Sequence, residues 1–219
     1  MGRLLAITTT ILVFVSAPSS AADSALNGQA LTEKYDQLVP QLNKGDANID
    51  FGALRLAYTA TPQYDAYGSE SDDLLDEIGD AYRAGNCDSV LKKSEEFLKL
   101  DFIWVNIHAI RAECFAKLGE TNRANLESSI ARGLENSLLN SGDGKSEATA
   151  YKVMTMREER FVLSQLRVTE QKQALVQGKD GPFDVIDGPQ APSGNTLSLW
   201  FDIRYIFSSL DSLFGNEKP

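Results

Sequence analysis

Histidine, cysteine and positive charge are all scarce in this sequence of 219 residues. The single histidine, His108, excludes a metal site built from several histidines, and a catalytic triad would have to use this one ring. Acidic residues outnumber basic residues by 31 to 21, and a formal charge of -10 repels phosphate backbones and anionic lipid. Nucleic acid is therefore not an expected partner.

A short apolar stretch opens the sequence at residues 4–15. A basic Arg3 precedes it and small residues follow it, which is the pattern of a secretory signal peptide. The stretch is shorter than the roughly 20 residues of a membrane span, and no cysteine follows it to carry a lipid. We predict that residues 1–22 are a signal peptide. The mature protein is then periplasmic or secreted, has no stable membrane span, and carries 20 basic and 31 acidic residues, a charge of −11.

Apolar residues at spacings of three and four predict a helical first half. They indicate a helix over residues 28–44, bent or shortened at Pro40, and two helix-turn-helix units over residues 69–134. The turns of these units fall at Gly85 and Gly119, and Arg111 stands where such a unit usually has a small residue. The pattern resembles a pair of degenerate tetratricopeptide repeats, a helical architecture that mostly serves protein contacts.

After Glu135 the spacing becomes that of strands. A strand is predicted over residues 150–156, a hairpin turns at Asp180 and Gly181, and apolar residues alternate in TLSLWFDI. The predicted fold is α+β. A helical-repeat-like region, residues 23–135, precedes a small antiparallel sheet of about four strands with one inserted helix, residues 136–219.

Cys87 and Cys114 are the only two cysteines. If the chain turns back between two antiparallel helices near Asp101, these cysteines stand at almost equal distances from the turn. Because cysteines of exported proteins are usually oxidised, we predict a disulfide between them. Two buried thiols are the alternative.

Two segments look like ligand loops, but each lacks a required residue. GDGKS has Leu139 where a phosphate loop needs its first glycine, and DANIDFG has Ala57 where a calcium loop needs a glutamate. We interpret them as a surface turn and a helix cap. No catalytic residue, metal or cofactor is predicted.

Several carboxylates lie on or beside the predicted sheet, and two of them with separated pKa values could act as acid and base. They are Glu158, Glu159, Asp184, Asp187 and Asp202, with Asp202 on the polar side of its strand. Nothing in the sequence brings any two together, and most are expected to face solvent.

The stretch LRLAYTATPQYDAYG concentrates three tyrosines between polar flanks. Tyr58 is expected to pack, whereas Tyr64 and Tyr67 can either pack or contact a ligand, which makes these two the candidate binding residues. This stretch, together with SGDGKSEATAYKVMTMREERFVL and SLWFDI, resembles the bacterial family catalogued as domain of unknown function 4919. The resemblance implies helices first, a sheet last and export, and it implies no activity.

These observations favour an exported, non-enzymatic module that binds an unidentified protein or peptide through its helical surface. The alternative is a carboxylate-dependent hydrolase that uses Asp184, Asp187 and Asp202. The sequence predicts no oligomeric state.

Overall fold

The computed structural model describes residues 20–214, with side chains from residue 27 to residue 209 except Glu70. Residues 1–19 of the predicted signal peptide lie outside this range. The helices are α1 Ser20–Asn43, α2 Phe51–Tyr58, α3 Asp72–Arg83, α4 Cys87–Leu100, α5 Val105–Lys117, α6 Thr121–Leu139, α7 Met156–Gln165 and α8 Arg204–Phe214. The strands are β1 Tyr151–Lys152, β2 Lys172–Gln177, β3 Pro182–Gln190 and β4 Asn195–Asp202.

The first helix begins earlier than predicted and continues past Pro40 to Asn43. The proline therefore sits in its last turn, where it removes the amide that would donate to the Asp36 carbonyl, and the helix ends three residues later. Asp50 caps α2 by accepting a hydrogen bond of 2.9 Å from the Ala53 amide, as we interpreted DANIDFG.

Two helical hairpins form the middle of the chain, α3 with α4 and α5 with α6, and α4 also packs on α5. Gly85 and Gly119 follow the first helix of each hairpin and have positive φ angles of 71° and 78°. Glycine adopts this conformation without a steric penalty, which explains why both turns occur at these residues.

The sheet has the strand order β1-β4-β3-β2. The β2–β3 hairpin turns at the predicted residues, and β3 pairs with β4 in antiparallel register. The prediction of a purely antiparallel sheet is wrong, because β1 pairs with β4 in parallel, Tyr151 opposite Phe201. The predicted strand over residues 150–156 is also shorter than expected, because the chain leaves it to begin α7. The α+β fold with one inserted helix is confirmed.

A single hydrophobic core extends through both regions, from Leu42 and Leu54 in the helices to Ile186 and Phe201 in the sheet. Helix α6 packs against both α7 and β1, so it contributes to the boundary between the helices and the sheet. No helix in the described part of the chain is both long and apolar enough to cross a membrane.

Candidate functional site

A groove of about 850 Å³ opens between α1 and the helices α4, α5 and α6. Among the described elements, α1 packs on α2 and α2 packs on α6, whereas α4 packs on α3 and α5. Its apolar lining includes Tyr35, Val39, Leu42, Leu91, Leu98, Leu118, Leu126 and Ile130. Leu118 is 46% exposed and is one of the apolar side chains that solvent can reach.

The charges that line the groove are balanced, although the whole chain is strongly acidic. Four are basic and four are acidic: Lys92, Lys99, Arg111 and Arg123 against Asp88, Glu95, Glu120 and Glu127. The groove therefore differs from the rest of the surface in charge as well as in shape.

Three of the residues that line the groove, His108, Arg111 and Glu127, form a buried polar cluster. Glu127 accepts a hydrogen bond of 2.7 Å from Arg111 and contacts Nδ1 of His108 at 2.7 Å. The other ring nitrogen of His108 is 2.8 Å from the Phe102 carbonyl oxygen, and Arg111 also donates to Ser94. Burial alone would raise the pKa of Glu127, but the contacts with His108 and Arg111 lower it. His108 therefore has a structural role, as a link between α5, α6 and the loop at Phe102.

Arg111 replaces the usual small residue of a repeat because its charge is matched within the cluster. Arg111 is 9% exposed, and its guanidinium is held by Glu127 of α6 and Ser94 of α4. The sequence shows the exception at Arg111, but it does not show which acid compensates for it.

The disulfide Cys87–Cys114 joins α4 to α5, two of the helices beside the groove, and its Cα atoms are 5.1 Å apart. It joins the first residue of α4 to the last turn of α5, close to the turn geometry that the sequence predicts. Both cysteines are buried, and among the described residues none is a free thiol.

We expect reduction of this disulfide to destabilise the protein by on the order of 3 kcal/mol, because the reduced chain gains the entropy of an open loop. The sequence separation of the bond is 27 residues. Urea unfolding with and without reductant measures the change, and intact mass counts the two hydrogens gained. A Cys87→Ala, Cys114→Ala variant is the control, and its stability should not respond to reductant. An oxidised wild-type protein with no response would contradict this prediction.

The tyrosine-rich segment joins the helices to the sheet. The Tyr58 hydroxyl donates to the Leu100 carbonyl at 2.9 Å, and the Tyr64 hydroxyl donates to the Met154 carbonyl at 2.7 Å. Burial raises the pKa of both tyrosines. Tyr64 therefore packs, whereas Tyr67 is 41% exposed. Neither of the two candidate binding residues, Tyr64 and Tyr67, lines the groove.

The first turn of α7 carries three consecutive buried charged residues, Arg157, Glu158 and Glu159. Glu158 accepts two hydrogen bonds from Arg55 of α2, at 2.7 Å and 2.9 Å, and one from the Met154 amide. Our expectation that these acids face solvent is wrong, since Glu158 is 2% and Glu159 1% exposed. Local sequence could not show this, because Arg55 lies 103 residues away.

Arg157 holds the end of the tyrosine-rich segment against the helices. Its guanidinium donates to the Gly68 carbonyl, to Ser71 at 3.0 Å and to Asp101 at 3.2 Å. Gly68 has a φ of +79°, and a Cβ there would collide with this guanidinium. Burial raises the pKa of Asp101 to about 6 although Arg157 opposes the shift.

The third charged residue, Glu159, meets Asp184 of β3. Glu159 is 1% exposed and Asp184 is 7% exposed, so both carboxyls are buried. Burial, together with the charges of Asp184 and Glu170, raises the pKa of Glu159 to about 8, against the effect of Arg160. Burial and the neighbouring acids therefore favour the protonated form of Glu159.

The structure does not bring Asp184, Asp187 and Asp202 together. Asp184 lies opposite Phe201 and Asp202 opposite Phe183, so these two side chains point to opposite faces of the sheet. Asp187 pairs with Ser198, four positions from Asp202 along β4. Asp202 lies on the face of β4 opposite to Leu199 and Phe201, as predicted, but it is 6% exposed and binds Arg204 at 2.7 Å.

The backbone amides of the two loop-like segments form hydrogen bonds within the protein. In GDGKS, the amides of Asp143 and Gly144 donate to the Thr149 carbonyl and Lys145 pairs with Asp143, which leaves these amides unavailable to a phosphate. Within the described residues, no three acid, histidine or cysteine side chains converge as metal ligands.

No curated protein and no solved structure matches this chain. A protein family described as Domain of unknown function (DUF4919) matches residues 23–211, which contain both hairpins, the groove and the whole sheet. A match of this extent includes the tyrosine-rich segment, the charged first turn of α7 and the last strand. The chain therefore belongs to the DUF4919 family.

Proposed function

We propose that the protein is an exported binding module that holds an amphipathic helix of a partner protein in the groove between α1 and α4–α6. Export is supported by the leader-like pattern of residues 1–22 and is consistent with the disulfide. The observation that carries the binding function is the groove itself, whose walls are rows of apolar side chains on separate helices.

The spacing of these rows suits a helical occupant. Tyr35, Val39 and Leu42 follow one face of α1, while Leu91 and Leu98 lie two turns apart on α4. Partner helices dock into such grooves through apolar anchors at the same spacing. A volume of about 850 Å³ can take several anchor side chains, since it lies within the range of ordinary ligand pockets.

The rim charges indicate a partner helix of mixed charge. Lys92, Glu95 and Lys99 alternate in sign along the groove face of α4. An occupant with complementary charges beside its apolar stripe would bind in one register, because every other register would bring like charges into contact.

A hydrolase is supported less well. None of Asp184, Asp187 and Asp202 lines the groove, and the register of the sheet separates their side chains. The acid that interacts with Asp184 is Glu159, which is 1% exposed.

Selection from a displayed library of amphipathic helices tests this function. We expect the wild-type protein to enrich helices with leucines at spacings of three, four and seven. A Leu118→Lys variant should bind them at least about tenfold more weakly, because a charge would enter the apolar lining. Leu118 is 46% exposed, so the variant should keep its thermal stability.

Leu175→Lys is the matched control, because Leu175 is 60% exposed and lies outside the groove. It should bind the selected helices as well as the wild type does. Equal binding by Leu118→Lys, or enrichment of proline-rich extended peptides, would contradict the proposal.

A further inference from the structure

The charged residues that line the groove fall into two groups. On α5 and α6 they pair within the protein, Arg111 with Glu127 and Arg123 with Glu120. The other four are exposed residues of α4, and they are Asp88, Lys92, Glu95 and Lys99. Within the part of the chain that the structure describes, none of these four makes an ion pair or a side-chain hydrogen bond. The charges of α4 are therefore the ones available to a partner.

The four side chains of α4 form a ladder of alternating charge. From the amino end their signs are negative, positive, negative and positive, at spacings of four, three and four residues. Such spacings keep them on one face of the helix. Asp88 and Lys99 are eleven positions apart, which corresponds to about 16 Å of helix. Leu91 and Leu98 also line the groove, so the charge ladder runs beside the apolar lining.

We propose that the partner helix lies antiparallel to α4 and carries an acid, a base, an acid and a base from its amino end, at the spacing of the charge ladder. This inference rests on the function proposed above and adds the direction and the charge sequence of the partner. The first acid of the partner would meet Lys99, and its last base would meet Asp88. All four facing pairs are then of opposite sign.

The internal stability of the occupant decides its direction. A parallel helix could match the charge ladder only with the signs exchanged, so that each acid follows a base by four residues. In the antiparallel helix each base follows an acid by four residues, which is the more stabilising order. Its acids also lie nearer the positive amino end of its dipole, and its bases lie nearer the carboxyl end. The antiparallel helix is therefore the more stable of the two occupants.

A helix of another protein suits the charge ladder better than α4 of a second copy does. An antiparallel copy of α4 would present the same complementary charges. That helix is packed on α3 and α5 of its own chain, however, so it is not free to enter the groove. Two copies would also bring together two chains that each have a formal charge of -10. A separate helix can insert apolar side chains and meet the charge ladder at the same time.

Two blocked helical peptides of identical composition test the charge sequence. Both carry leucines at spacings of three and four. The first has glutamate, lysine, glutamate and lysine at the spacing of the charge ladder, and the second has these glutamates and lysines exchanged. In fluorescence anisotropy at low salt, we expect the first peptide to bind at least about threefold more tightly. A spin label at its amino end should broaden the amide signals near Lys99 and not those near Asp88.

Charge reversal on both molecules identifies which residues face each other. Lys92→Glu should weaken binding of the first peptide at least about threefold, and exchanging the second glutamate of the peptide for lysine should restore it. Exchanging the first glutamate instead should not restore binding, because that position faces Lys99. Glu96→Lys changes the charge at an exposed position of α4 outside the groove, and this control should bind as the wild type does.

The outcomes separate this proposal from the one on which it rests. If both peptides bind equally and Leu118→Lys weakens both, the groove binds helices but the assigned charge sequence is wrong. If the spin label broadens the signals near Asp88, the assigned direction is wrong. If neither peptide binds, both proposals are wrong. Dimers of the wild-type protein that Lys92→Glu dissociates would also overturn the proposal, because α4 would then pair with a second copy.

Discussion

Glu158→Gln is expected to destabilise the protein by about 3 to 5 kcal/mol, the cost of leaving a buried charge without its partner. The side chains of Arg55 and Glu158 are 2% and 3% exposed, and their two hydrogen bonds join α2 to α7. The amide can still accept from the Met154 backbone, but it cannot neutralise Arg55. Urea unfolding at neutral pH measures the loss.

An exposed ion pair gives the matched control. Glu120 and Arg123 are 41% and 59% exposed at 2.8 Å, so Glu120→Gln should change the free energy of unfolding by less than about 1 kcal/mol. An Arg55→Met, Glu158→Met variant should recover part of the loss, because it removes both charges. Recovery will be incomplete, since the Met154 amide and the Lys152 carbonyl lose their partners. Similar losses for Glu158→Gln and Glu120→Gln would show that burial does not determine the effect.

Glu159→Gln is expected to remove most of a pH dependence that lowers the stability of the wild-type protein as pH rises. The folded protein holds the Glu159 proton up to a pKa of about 8, whereas an unfolded glutamate loses it near 4.5. Between these values the folded state binds more protons, so its stability decreases with increasing pH and levels off above about 8. The accumulated loss is on the order of a few kcal/mol.

Unfolding midpoints from pH 5 to pH 9 test this prediction. The amide cannot ionise, so the variant should approach the wild type in stability at low pH and exceed it at high pH. Asp101, whose pKa is raised to about 6, adds a smaller decrease at lower pH in both proteins. Glu96→Gln, at an exposed position, should follow the wild-type curve. Parallel curves for wild type and Glu159→Gln would contradict the assigned proton.

The features that the sequence predicts correctly are those with a local cause. Gly85 and Gly119 mark helix ends because their backbone angles require glycine, and Asp180 with Gly181 marks the hairpin. The alternation in TLSLWFDI predicts β4 because each strand residue faces the side opposite to its neighbour. The pairing of Cys87 with Cys114 could be predicted because one turn between two antiparallel helices separates them.

The features that the sequence analysis misses depend on distant partners. Arg157, Glu158 and Glu159 look like the solvated start of a helix, and acids there would suit the helix dipole in any protein. They interact with Arg55 of α2, Asp101 after the end of α4, and Asp184 of β3, all distant in the sequence. The groove is missed for the same reason, since its walls come from helices that are not consecutive in the chain.

The charged first turn of α7 also determines how the chain can be divided. A fragment that ends at residue 135 would contain Arg55 without Glu158 and Asp101 without Arg157, two buried charges with no counterpart. The complementary fragment would contain the same turn with its helical partners missing. Each fragment would contain charged side chains whose ion-pair partners lie in the other fragment. We therefore expect neither fragment to fold well when it is expressed alone.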